Sequence, residues 1–369
     1  MCNSTSYLLD TLETTGYHYL PKQRETLVKR TLQKATTLEN TFKLIDYAKD
    51  NKSFLLKAYW TTYYCGGAIL QEGEKFSFRR CKKKWCRTCS HIRTAELING
   101  YKHLLEDFKE PQLVVLTMKN CKGRQLKSQY QKMVDAFKLA TRNITKTHGL
   151  KLNGIRTWEC TYNKETDEYH PHFNVVVDTQ EGAELLRSYW MNYWQSRVGA
   201  KHININAQSI QNIEGTEGLL EVFKYTTKLA VKHEEETKAQ DWIYQCTKGK
   251  RLAQPFGTLR KVKVKEDSIQ VDTVEGEQGN EIWVFENEVK HYVNAHGETL
   301  VTDDEKAVYL REKQRIKALK TQLNERNDVH RQRRIESRIP TTNRSSGSSS
   351  VQADKREGTT SKHGSKPFS

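Results

Sequence analysis

Apolar residues recur at helical spacing through Leu27-Val28 and Leu32, then Leu38, Phe42, Leu44-Ile45 and Ala48, and predict polar helices across residues 1–50. Thr94 to Phe108 is a second helical stretch, with Leu97, Tyr101, Leu104 and Leu105 on one side. Behind Pro111 the run Leu113 to Met118 is rich in β-formers and predicts a buried strand. A helix over 126–148 follows, then strands over 154–162 and 170–177 and an aromatic-rich helix over 180–197. His202 to Ala207 alternates Ile203 and Ile205 with polar residues, a strand signal, and Leu219 to Lys232 has a helical pattern. The order β–α–β–β–α–β–α predicts an α+β fold, a central antiparallel sheet flanked by helices.

Beyond residue 260 the pattern changes. Residues 261–272 and 281–301 carry short strand-like runs, and Asp303 to Arg334 is a charged helical stretch. From Pro340 onward Ser, Thr, Gly and Lys dominate, and such a segment cannot offset its ordering entropy, so disorder is expected. The expected organisation is a helical region at 1–53, a Cys-rich module at 54–100, a catalytic domain at 101–262, an α/β C-terminal region at 263–335 and a disordered tail at 336–369.

Composition narrows the class. The chain is 36% hydrophobic with a mean hydropathy of -0.82, and no run of about 18 apolar residues offers a membrane span. Its first residues lack a basic, then apolar, leader pattern, so a cytoplasmic location is expected. The net charge of +16 favours a polyanionic partner. From Arg79 to Arg93 there are seven Lys/Arg and no Asp or Glu, interleaved with Trp85 and three cysteines. Arg79, Arg80, Lys82, Lys83, Lys84 and Arg87 are therefore candidate phosphate contacts, positioning DNA rather than reading bases.

The chemistry concentrates in three places. In Tyr169-His170-Pro171-His172-Phe173-Asn174, the alternation of a strand puts His170 and His172 on one face, close enough for one ion. Pro171 cannot donate a ladder hydrogen bond, which places this end at an edge or strand start. With the preceding hairpin centred between Glu165 and Thr166, Glu159 falls opposite His172, whereas a slip of one residue would send it to the other face. Two imidazoles and a carboxylate leave positions open for phosphate oxygens around a Lewis-acidic ion. On the second segment, Glu221, Tyr225 and Lys228 share one helical face, with Lys224 adjacent. A phenol can attack a phosphodiester, a lysine can steady the phosphate, and a carboxylate one turn away can serve as general base.

The third is a cysteine cluster. Cys81, Cys86 and Cys89, with Cys65 upstream across a turn at Glu72-Gly73-Glu74, offer four thiolates for a tetrahedral structural Zn²⁺. His91 is the alternative fourth ligand, and reduced structural cysteines or a redox pair at Cys86 and Cys89 are the alternatives to metal.

In chain order, LVVLT (Leu113 to Thr117), WECTYNKETDEYHPHFNVVV (Trp158 to Val177) and EVFKYTTK (Glu221 to Lys228) resemble the three motifs of HUH endonucleases, specifically the single-tyrosine plasmid rolling-circle replication initiators of the Rep_1 type. Gly249-Lys250-Arg251-Leu252 with Gly257 resembles the segment that follows, and the Cys-rich stretch before the first motif is also typical. The resemblance covers about residues 60–260. It implies the HUH fold, with the histidines on a middle strand, and catalytic Mg²⁺ or Mn²⁺. It also implies nicking of a single-stranded or extruded plasmid origin by Tyr225, which stays on the 5′ phosphate. Glu221 would activate water in termination, and Lys224 and Lys228 match the motif's lysines. A host polymerase would extend the freed 3′ end, and a host helicase is a further expected partner. Several relatives carry another His where this chain has Asn174, which puts more weight on Glu159. An HUH-type transposase, a mobilisation relaxase, and a non-catalytic zinc-containing DNA-binding protein are the competing readings.

Overall fold

A computed structural model of the chain describes residues 20–73, 75–199, 203–213, 236–261 and 280–336. Two compact units divide it, residues 1–310 and 311–369. The first opens with α1 (Lys22–Asp50) and α2 (Leu56–Tyr63), followed by the hairpin β1 (Ala68–Glu72) and β2 (Lys75–Phe78), then α3 (Arg87–Glu106). Next come β3 (Gln112–Thr117), α4 (Gly123–His148), β4 (Gly154–Asn163), β5 (Glu168–Val177) and α5 (Gln180–Val198). A short 3₁₀ turn (Ile205–Ala207), β6 (Ile210–Asn212), α6 (Thr237–Thr247), β7 (Ala253–Phe256), β8 (Asn280–Glu286) and β9 (His291–Val293) complete the sheets. The last described helix, α7 (Asp303–Glu336), continues into the second unit, of which it is the described part. No helix among the described residues is long and apolar enough to cross a membrane.

The chain is thus α+β, with helices flanking two antiparallel sheets. The larger has the order β6-β3-β5-β4-β7, and the smaller β2-β1-β8-β9. β4 and β5 form a hairpin of ten residue pairs, from Gly154 opposite Val177 to Asn163 opposite Glu168. The sheet's packing follows from two-residue alternation. Val114, Leu116, Trp158, Phe173, Val175 and Val177 are buried in a core shared with Tyr130, Met133 and Phe137 of α4 and Trp190 of α5. α4 supplies its stripe at helical spacing, Leu126, Tyr130, Met133, Phe137, Ala140 and Ile144, and ends where Gly149 takes a left-handed φ of 67°. Ile155 and Val176, of opposite parity, pack with Tyr101 and Leu105 of α3. Gly154 is required at the start of β4, because a Cβ there would lie 1.9 Å from the Val176 carbonyl oxygen. α1 serves both cores: Leu27, Val28 and Leu38 pack with the smaller sheet, and Leu44, Ile45 and Ala48 with the larger.

Two elements differ from the sequence expectation. Residues 203–207 are not a strand. The Asn204 side chain accepts the backbone N–H of Asn206 at 2.9 Å and closes a 3₁₀ turn, and the strand forms three residues later as β6. Pro171 sits inside β5, a middle strand, and not at its start. Tyr169 exchanges both backbone hydrogen bonds with Cys121, so Pro171, two residues on, faces the same side. β3 has already ended at Thr117 on that side, and the missing N–H costs no ladder bond.

Candidate active site and metal centre

The β4–β5 register pairs Glu159 with His172, as the hairpin centred between Glu165 and Thr166 requires. His172 is paired on its other side with Thr117, the last residue of β3. His170 and His172 share a face, with ring centroids 5.5 Å apart. His172 Nε2 lies 3.2 Å from Glu159 Oε2, and both side chains are largely buried, 13% and 9% exposed. Asn174 Nδ2 donates to the same carboxylate oxygen at 3.1 Å. Asn174 therefore orients Glu159.

His170 Nδ1 sits 2.8 Å from the side-chain oxygen of Asn120, which leaves its Nε2 as the ring donor for an ion. Burial, with His172 adding to it, lowers the His170 pKa and favours the neutral, ligating form. The three donors are not drawn together as tightly as in a closed site. Among the described residues, only four cysteines bring three or more ligand atoms within 4.8 Å of one another.

Three supporting contacts had no local sequence signal. Asn120 is 50 residues from His170. Gln208 accepts the Thr117 N–H at 2.7 Å and donates to its hydroxyl at 2.8 Å, and Trp190 donates to its carbonyl at 3.0 Å. They fix the end of β3 beside His172. Glu221, Lys224, Tyr225 and Lys228 lie outside the described residues, as do the helix expected at 219–232, all but the first residue of the strand-like run expected at 261–272, and the tail beyond 336.

The cysteines form a closed centre. Cys65 and Cys89 sulfurs are 3.5 Å apart, Cys81 and Cys89 3.7 Å, and Cys65 and Cys86 3.7 Å. Four thiolates about 2.3 Å from one tetrahedral ion would be about 3.8 Å apart, so the cluster can hold a metal ion. Hydrogen bonds from Cys65, Cys81 and Cys86 lower the Cys89 thiol's pKa, so the gathered sulfurs favour a thiolate. Backbone N–H groups of Cys81 and Lys83 donate to the sulfurs of Cys65 and Cys81. The buried Lys34 ammonium donates to the carbonyls of Tyr63 and Cys65, and burial lowers its pKa to about 8. His91 is not among the four gathered ligands.

The basic segment divides. Arg80 pairs with Glu96 at 3.0 Å, and both side chains are mostly buried. Lys84 donates to the carbonyls of Thr247 and Lys250, and burial lowers its pKa to about 8. These two cations hold the module and α6 rather than facing solvent. Arg79, Lys82 and Arg87 are exposed and Lys83 half-buried. Lys84→Ala is expected to cost about 1–3 kcal/mol, read by urea denaturation, because carbonyls lose a charged donor. Arg79→Ala and Arg87→Ala should leave stability within about 0.5 kcal/mol and flatten the salt dependence of DNA binding by about one phosphate contact each.

The sequence model of the Rep_1 family, described as a replication protein, matches residues 74–299, more than half of the chain. A Staphylococcus aureus protein named "Protein rep" is 22% identical over 197 residues, covering 50% of this chain and 82% of that one. Proteins of the same name from a Bacillus species and from Bacillus amyloliquefaciens are 28% identical over 176 residues and 26% over 175. Each alignment covers 40% of this chain, and 56% and 51% of those two proteins, so the chain spans about half their length. No solved structure matches the chain.

Proposed function

Because this chain belongs to the Rep_1 family of replication proteins, we propose that it is a cytoplasmic plasmid initiator that nicks and rejoins one strand at a rolling-circle origin. The observation that carries this reading is the strand-paired set of His170, His172 and Glu159, held on one face beside the end of β3. Two imidazoles and a carboxylate fit Mg²⁺ or Mn²⁺, which supplies Lewis acidity at a scissile phosphate.

Tyr225 is the nucleophile of this reading. Its phenol oxygen bonds to phosphorus, the P–O3′ bond breaks, and the 5′ phosphate stays on the enzyme while the 3′-hydroxyl is freed for a host polymerase. Lys224 and Lys228 steady the phosphate, and Glu221 activates the water that ends the cycle. Zn²⁺ is the ion proposed for Cys65, Cys81, Cys86 and Cys89, since four thiolates in a closed tetrahedron suit a structural site. Arg79, Lys82, Lys83 and Arg87 are the proposed phosphate contacts of the module, and a host helicase would open the duplex ahead of the 3′ end.

The test is conversion of a supercoiled plasmid carrying the origin to its nicked form. Wild type with Mg²⁺ or Mn²⁺ should nick, and EDTA should stop it. Tyr225→Phe should bind the origin but lower nicking by at least about 10³-fold. Undiminished nicking by Tyr225→Phe sinks this reading, as would binding without nicking by wild type, the behaviour of a non-catalytic DNA-binding protein.

A further inference from the structure

Beside the histidine pair lies a cavity of about 590 Å³ that none of the roles above uses. Met118, just past β3, and Trp194 of α5 line it, and both are buried. The Trp194 indole thus gives this wall an aromatic surface, and its ring nitrogen is buried with no hydrogen-bond partner among the described residues. Lys119, Arg124 and Lys132 line the same cavity. All three are exposed and make no ion pair among the described residues. Arg124 and Lys132 lie two turns apart on one side of α4, about 12 Å along its axis. Asn120 belongs to both places, since it lines the cavity and contacts His170 Nδ1 at 2.8 Å.

An apolar, aromatic wall with cations at its margin fits one unstacked base and its neighbouring phosphates. Duplex DNA hides its base faces and would use only the cations. We propose that this cavity receives a nucleotide of the single strand next to the scissile phosphate, its base against Met118 and Trp194 and its phosphates on Arg124 and Lys132. The nicking reading supplies the identity of the strand, and Asn120 links the cavity to His170.

The test reads binding without added Mg²⁺ or Mn²⁺, and so without cleavage, by fluorescence anisotropy on a thymidine homopolymer of about 20 nucleotides. Arg124→Ala combined with Lys132→Ala should weaken binding by about tenfold or more and reduce the slope of log affinity against log salt by about 1.4. Both positions are exposed, so thermal melting should not move. An oligonucleotide carrying 5-bromodeoxyuridine should photocross-link to a peptide containing Met118 or Trp194. An unchanged salt slope overturns the proposal, as does an equal loss of duplex affinity, cross-linking only elsewhere, or competition by a free nucleotide as strong as that of the oligonucleotide. A wild type that binds but never nicks would sink the nicking reading and leave this test standing.

Discussion

Replacing both His170 and His172 with alanine is expected to lower metal-dependent nicking of origin DNA by roughly 10³-fold, while single-stranded DNA affinity stays within about threefold. Loss of a Lewis acid at the phosphate removes several kcal/mol of transition-state stabilisation, and each 1.4 kcal/mol is about tenfold in rate. The fold should survive, because neither ring belongs to a hydrophobic core. His172→Ala carries one structural cost. Among the described residues Glu159, 9% exposed in its side chain, keeps only the Asn174 amide as a donor, so a loss of about 1–3 kcal/mol is expected from that change. Glu159→Gln tests the carboxylate separately, and should weaken Mn²⁺ binding without unfolding the hairpin. Mn²⁺ titration followed by electron paramagnetic resonance reads the site directly. If the double alanine variant binds Mn²⁺ like wild type, or nicks within about tenfold of it, the metal centre is not at these residues.

The second large effect is expected at the cysteines. Cys65 precedes β1, Cys81 follows β2, and Cys86 and Cys89 sit at the start of α3, so one ion would tie three segments of the module together. An ion that binds the folded chain alone stabilises it by mass action. Purified protein should carry one Zn²⁺ per chain by elemental analysis. Cys86→Ser combined with Cys89→Ser should abolish that stoichiometry, destabilise the module by about 5 kcal/mol or more and lower its melting temperature by about 10 °C or more. Lys34 and Arg30 sharpen the expectation, because a buried ammonium and a half-buried guanidinium beside the four sulfurs favour the charged thiolates. Metal-free protein that melts at the same temperature would contradict this. A melting temperature that responds to reductant and not to chelator would identify a redox pair instead.

The parts of the site legible in the sequence were those set by short range. One turn and the two-residue alternation of β4 and β5 determine where Glu159 lies relative to His172, all within about 20 residues of chain. Cysteine spacing similarly marked all four gathered sulfurs. The long-range features left little trace. β7 is four residues long, contains Pro255, and joins β4 about 100 residues away. β8 pairs with β1 across more than 200 residues. The two isoleucines at 203 and 205 mimic a strand because alternation over so short a span does not distinguish it from a 3₁₀ turn. Charge density identified the basic module but not that Arg80 and Lys84 are taken up by Glu96 and by backbone carbonyls, since partners are a property of the fold.

The nucleophile is tested most directly by the covalent adduct it leaves. Wild-type protein incubated with Mg²⁺ and a single-stranded origin oligonucleotide, then digested and sequenced by mass spectrometry, should yield one peptide bearing a 5′-phosphate-linked nucleotide on Tyr225. An adduct on another residue, or a nick with no covalent adduct at all, would contradict it.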